Sequence, residues 1–259
     1  MVKISGTLTK SSGVPSSVID RDCVQRCFNT PDCIFVVFMA NHCNLYDYNS
    51  TVFLEVVEKT EKDGIYVAFK TNFTDNSCPS YEEFVPVLNI GEDQISWTKT
   101  GNTFTFKKCI GDWKMFKRSN PEMDVCMQVF FINNKTTQDE GKQLCADLGY
   151  NVTGVASIAE CKWIQQKLRA IGPKQYEHIW IDGVRNCTGR EDDCWYFDWS
   201  DGYTVGQEVF TESNAKFSWY GENCLGVAIV YNSDYTINDL NCGPGGTRDR
   251  GVACGYKMT

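Results

Sequence analysis

With 259 residues, 42% hydrophobic and 22% charged, the chain has the length and apolar content for two globular domains with their own cores, which excludes a disordered protein. A formal net charge of -8 without a basic cluster denies it the cationic face that nucleic acid or an anionic membrane requires. Fourteen cysteines spread along the whole length point to an oxidising compartment and a disulfide framework. Zinc would need clustered CxxC pairs or nearby histidines, and His42 and His178 are far apart.

Five glycosylation sequons begin at Asn49, Asn72, Asn134, Asn151 and Asn186, in keeping with a secretory route and an extracellular location. The first twenty residues lack the apolar run of a signal peptide, so the start shown is expected to be processed, truncated or misannotated. The longest purely apolar stretch, Ile34 to Ala40, is too short to span a bilayer.

In chain order, the spacing predicts a short helix with Ser17 as N-cap, Asp20 three residues on, and Cys23 and Cys27 at i, i+4 on one face, stopping by Pro31. The runs IFVVFMA, CNLYDY and GIYVAFK then read as strands, giving a small α+β unit. Residues 71–77, TNFTDNS, suit a linker. Residues 78–108 read as a β-rich extension leading into the next domain, with YEEFVPVLNI and the alternating TFTF.

Two helices follow. The first opens on a capping box at Thr137 and Glu140, aligns Leu144 with Leu148 and ends at Gly149. The second opens on a capping box at Ser157 and Glu160, aligns Cys161, Ile164, Leu168 and Ile171, and ends at Gly172. Between them GVASI reads as a short strand. Trp195, Phe197 and Trp199, at period two, read as a strand with one aromatic face. Cys187 and Cys194 close a short loop, NCTGREDDC, and suit a local bridge.

The stretch from Glu212 to Cys242 gathers five oxygen donors, Glu212, Asn214, Glu222, Asn238 and Asp239, around the buried-strand sequence Leu225 to Tyr231. Three carboxylates and two carboxamides suit Ca²⁺, which takes six to eight hard oxygens in irregular geometry. The alternative is a solvated loop, with Glu222 capping a turn and Asn238 and Asp239 as turn residues. The acidic run Glu191, Asp192 and Asp193 reads as a solvated loop tip rather than a second calcium site.

Two resemblances organise these elements. DCVQRCFNTPDCIFVVF, CNLYDYN and DGIYVAFK resemble the CW or PAN-3 type of PAN/apple-like module, known chiefly from secreted nematode proteins where it precedes a C-type lectin domain. That resemblance covers residues 1–70 and implies bridges Cys27–Cys33 and Cys23–Cys43. Modules of this kind mediate protein or carbohydrate contacts or act as spacers, and no residue here marks a site.

Residues 109–259 resemble a long-form C-type lectin domain. The likeness rests on the hairpin CIGDWKMFKRSNPEMDVC, the strand HIWIDG with Asp182 inserted, the triplets Glu212-Ser213-Asn214, Glu222-Asn223-Cys224 and Ile237-Asn238-Asp239, and the closing GVACGYK. The resemblance implies bridges Cys145–Cys254 and Cys224–Cys242. It also implies Cys109–Cys126, with Cys78–Cys109 as rival, and leaves Cys161 for Cys78, which would attach the extension to this domain.

It implies further that Glu212, Asn214, Glu222, Asn238 and Asp239 hold Ca²⁺ and, through it, a mannose-type glycan or glycoprotein, with Trp219 touching the ligand and a role in handling microbial surfaces. Ser213 replaces the cis-proline of the family, and a cis bond before a non-proline residue costs about 3–4 kcal/mol. The alternative is a calcium-independent lectin-like module that binds a protein or other ligand. Asp239→Ala is expected to abolish calcium-dependent binding with the fold intact.

An enzyme is not expected. His178 precedes a core strand and reads as a strand-edge residue, and each cysteine has a candidate bridge partner, which leaves no catalytic thiol.

Overall fold

The computed structural model describes residues 1–19, 22–39, 42–60, 65–72, 80, 82–90, 93–133, 136–188, 194, 196–210, 221–230, 236–243 and 248–258. It divides into two compact units, Met1–Gly111 and Asp112–Thr259. Both are α+β, with three helices and mostly antiparallel sheets among the described residues.

The first unit comprises β1 (Val2–Ser12), β2 (Ser16–Val18), α1 (Cys23–Asn29), β3 (Cys33–Met39), β4 (His42–Asp47), β5 (Phe53–Glu58), β6 (Tyr66–Phe69), β7 (Val87–Ile90), β8 (Asp93–Ser96), β9 (Thr98–Thr100) and β10 (Thr103–Lys107). One sheet runs β2-β4-β3-β6-β1-β5-β10-β9, while β7 and β8 form a separate hairpin. Ile34, Phe35 and Val36 of β3 are buried in succession, as a continuous β-branched and aromatic run requires of a strand flanked on both sides.

Two expectations change here. The first helix begins later: Ser16–Val18 pairs with β4 as a strand, and Asp22 caps α1 by accepting from the Gln25 amide. The expected cap Ser17 instead donates its hydroxyl to the Asn44 side chain, while Asp20 lies outside the described residues. The β-rich extension also belongs to this unit. Its β10 pairs with β5 from Thr103↔Val57 to Lys107↔Phe53, and Trp97, Phe104 and Phe106 pack into the core with Phe35, Leu54, Val56 and Phe69. The TFTF alternation supplies the physical reason, since Phe104 and Phe106 share one face of the strand and complete the apolar surface beneath β5.

The second unit comprises β11 (Lys114–Ser119), β12 (Glu122–Phe131), α2 (Gln138–Asp147), β13 (Asn151–Val152), α3 (Ile158–Ala170), β14 (His178–Arg185), β15 (Phe197–Asp198), β16 (Glu222–Ala228), β17 (Ile237–Asn241) and β18 (Asp249–Lys257). Its sheet runs β11-β12-β18-β14-β16-β17, with β13 on β18 and β15 on β14. On β14 the chain pairs antiparallel with β16 and parallel with β18.

The Thr137–Glu140 capping box of α2 is present. The buried face of α2 is Gln138, Gly141 and Cys145; Leu144 packs partly buried beside them, while Leu148, expected on the same face, is exposed. Three contacts pull that face inward. Cys145 is bonded to Cys254, and the Gln138 amide donates to the Ile181 and Gly183 carbonyls. A Cβ on Gly141 would lie 3.1 Å from the Val252 side chain, tighter than an ordinary contact, so the bare backbone eases the approach.

On α3, Cys161, Ile164 and Leu168 are buried, but Ile171 stands outside the helix as its exposed C-cap. GVASI is not a strand. The strand lies just before it at β13, because the Gly154 amide donates to Asp201 and its carbonyl accepts from Arg118 instead of joining a ladder.

Bridges join Cys23–Cys43, Cys27–Cys33, Cys145–Cys254, Cys187–Cys194 and Cys224–Cys242, and Cys109 and Cys126 are oxidised. Cys161 is a free, fully buried thiol. This overturns its pairing with Cys78, which lies outside the described residues, and the view that each cysteine is bridged. Burial among Ile164, Leu168 and Val227 pushes the Cys161 thiol up from 9.0 to about 12, so it stays protonated and unreactive at neutral pH.

Candidate functional site

The candidate face is built where β14 and β17 end and β16 begins. In the antiparallel pairing of β16 with β17, Leu225 faces Asp239 and Gly226 faces Asn238, and the Cys224–Cys242 bridge ties the two strands. The neighbouring β14 carries an irregularity between Trp180 and Val184 where it runs along β16. Gly183 adopts φ +116° there, and a Cβ on it would meet the Leu225 side chain at 2.5 Å, so glycine is required. The inserted Asp182 is buried in this bulge, and its carboxylate accepts from the Ser200 and Asp201 amides and the Ser200 hydroxyl.

Past the bulge, Arg185 ends β14 with its side chain 3% exposed. It pairs with the Asp239 carboxylate, whose side chain is 8% exposed. Its Nε donates to the Glu222 main-chain carbonyl at 3.1 Å, one terminal nitrogen donates to the Cys194 carbonyl, and the guanidinium lies 4.6 Å from the centre of the Phe197 ring. Burial lowers the Arg185 pKa from its ordinary value, and the charges of Asp239 and Glu222 oppose that shift. Burial likewise raises Asp239, with Arg185 opposing.

Of the five expected calcium ligands, the structure describes Glu222, Asn238 and Asp239, while Glu212, Asn214 and Trp219 lie outside the described residues, as do Trp195 and the run Glu191 to Asp193. Of the described residues, Asp239 is turned toward a partner other than a metal ion. Burial along β17 alternates, with Asp239 on the buried face shared with Ile237 and Asn238 on the other. The Asp239 carboxylate is already engaged by a guanidinium. A dication 4 Å from that charge would be repelled by about 8 kcal/mol at an effective dielectric of 20. Among the described residues no group of three or more His, Cys, Asp or Glu side chains could hold a metal.

Asp239→Ala would strand a buried guanidinium, so a stability cost is expected from that change as well. Sequence reasoning missed Arg185 entirely. It lies 54 residues from Asp239, and an arginine after a core strand carries no local signal.

His178 is also corrected. It is 1% exposed within β14, with Nε2 3.0 Å from an equally buried Asp249 oxygen and its ring against Trp180 at 4.7 Å. Thr136 donates its amide to the other Asp249 oxygen. The group is sealed from solvent. Trp199 is half-buried, stacked on Phe210 at 5.8 Å, and donates its ring N–H to the Gly206 carbonyl. Of the expected aromatic strand, Phe197 and Asp198 pair as β15 on β14, and the Tyr196 carbonyl accepts from the Asn186 amide.

Residues 1–71 match the PAN-like domain family. No curated protein matches the chain.

Solved structures that match include the C-type lectin domain of murine dendritic cell inhibitory receptor 2 in complex with N-glycan, at 17% identity and TM-score 0.39, covering 58% of this chain and 100% of that one. Another is a calcium-independent type II antifreeze protein, at 17% identity and TM-score 0.40, covering 58% and 96%. A third is the C-type lectin CEL-I from Cucumaria echinata, at 20% identity and TM-score 0.38, covering 57% and 97%.

Proposed function

We propose that this is an extracellular, non-enzymatic recognition protein whose second unit works as a C-type lectin-like module. It binds a glycan or glycoprotein on the face formed by β14, β16 and β17, without calcium at Asp239. The observation that carries this reading is the Arg185–Asp239 pair: the carboxylate that a lectin of this type would lend to calcium is neutralised from within the chain.

An extracellular setting is supported by the disulfides of both units, since such bridges persist in oxidising compartments. The five sequons support glycosylation in the same setting, and handling of microbial surfaces is the role this reading favours. No described helix is long and apolar enough to cross a membrane. The net charge of -8 argues against nucleic acid as a partner.

The test is a glycan and glycoprotein array probed with the full oxidised chain, once in calcium and once in chelator. Equal binding in both supports the reading. Binding to mannose-type glycans that vanishes in chelator would return the function to a calcium site that uses Glu212 and Asn214.

A further inference from the structure

We infer that Arg185 is an internal cation that takes, within this chain, the charge-neutralising and cross-linking place a bound metal ion would take at the face of the second unit. The inference rests on the calcium-independent reading and assigns that reading its agent.

The atoms around the guanidinium carry the argument. Its partners are three oxygens from three separate segments: a carboxylate on β17 at Asp239, the main-chain carbonyl of Glu222 at the start of β16, and the main-chain carbonyl of Cys194. One carboxylate with two carbonyls is the kind of donor set a hard cation collects. A guanidinium meets it from the other side, because its five N–H donors radiate in one plane and it accepts nothing. The flat face left over rests on Phe197, a contact that a cation makes with an aromatic ring.

Tethering changes the physics in one respect. A free ion orders these segments only when its concentration exceeds its dissociation constant, whereas Arg185 is present in every molecule. The bulge at Gly183 sets where β14 delivers it, and the bridge to Cys187 fixes Cys194, whose carbonyl it meets. Arg185 is thus a positioning residue for the recognition face. The oxygens it would vacate form a site for a small cation.

The experiment is chemical rescue of the full oxidised chain. Arg185→Gly and Arg185→Gln are prepared with and without Asp239→Asn, and thermal midpoints are measured with methylguanidinium chloride or calcium chloride, each alone. The single variants should melt lower than wild type and regain about 5–10 °C in one or both probes at roughly 100-fold excess over the dissociation constant. Wild type and the Asp239→Asn doubles should not respond.

A single variant that folds and ignores both probes overturns the inference. If neither folds in plain buffer, refolding yield becomes the readout: recovery in a probe supports the inference, and no recovery overturns it. An upward shift of the wild type in calcium sinks the calcium-independent reading instead, which keeps the two failures apart.

Discussion

Two buried arginines of the second unit invite comparison. Arg118, on β11, meets Glu160 at the start of α3 through two contacts of 2.9 Å, with side chains 3% and 1% exposed. Its remaining donors reach the Thr204 hydroxyl and the Gly154 carbonyl, and Tyr203 lies 5.5 Å beneath the guanidinium. Arg185 is as deeply buried, but it meets Asp239 through one oxygen and gives its other donors to main-chain carbonyls of Cys194 and Glu222.

The first pair pins a strand to a helix and belongs to the core. The second joins a strand to segments flanking the candidate face. Charge and burial are alike in the two, and what an arginine does is decided by what its spare donors hold.

The largest expected effect is at the core pair. Glu160→Ala should cost about 3–5 kcal/mol, because it leaves the Arg118 charge buried and unpaired, and a urea denaturation series measures it. Asp239→Ala should cost less, about 3 kcal/mol, since Arg185 loses one carboxylate contact where Arg118 loses two. An equal loss at both positions would erase the difference between the two pairs.

Cys161, next to Glu160 on α3, sharpens the comparison. Its thiol is raised from 9.0 to about 12 by burial. A raised acidic group contributes stability that is fully present below its unfolded value and lost as pH rises through the folded one. In wild type at pH 8, alkylation followed by mass spectrometry should therefore label Cys161 only after unfolding, and Glu160→Ala should label it faster. The smallest expected effect is on wild type itself, whose thermal midpoint should be the same in calcium and in chelator. A rise in calcium would mean that the Arg185 pair does not govern the face.

Much of the fold was legible because its signals are local. The capping box at Thr137 and Glu140 needs only a four-residue span, and the apolar run of β3 announces a flanked strand. Where local signals failed, a distant partner had intervened. Glu160 was expected to close a second capping box, but its carboxylate turns to Arg118, 42 residues away, and to the Ala156 amide. Ser16–Val18 was expected to enter a helix and is claimed by β4. Leu148 was aligned with Leu144 on one helix face and is exposed, while the buried face carries Cys145 and its bridge to Cys254.

The sequence by itself determined the class of protein: two α+β units, disulfide-rich, acidic, with oxygen donors concentrated toward the second unit's last strands. Composition and short-range spacing carry that information, since secondary structure and compartment follow from neighbours a few residues apart. Only the tertiary structure decided what Asp239 meets. That depends on Arg185, 54 residues away in the chain and within hydrogen-bond reach in space. Such a pairing has no period, motif or composition to betray it, because it is fixed by a bulge in β14 and by the register of β16 against β17.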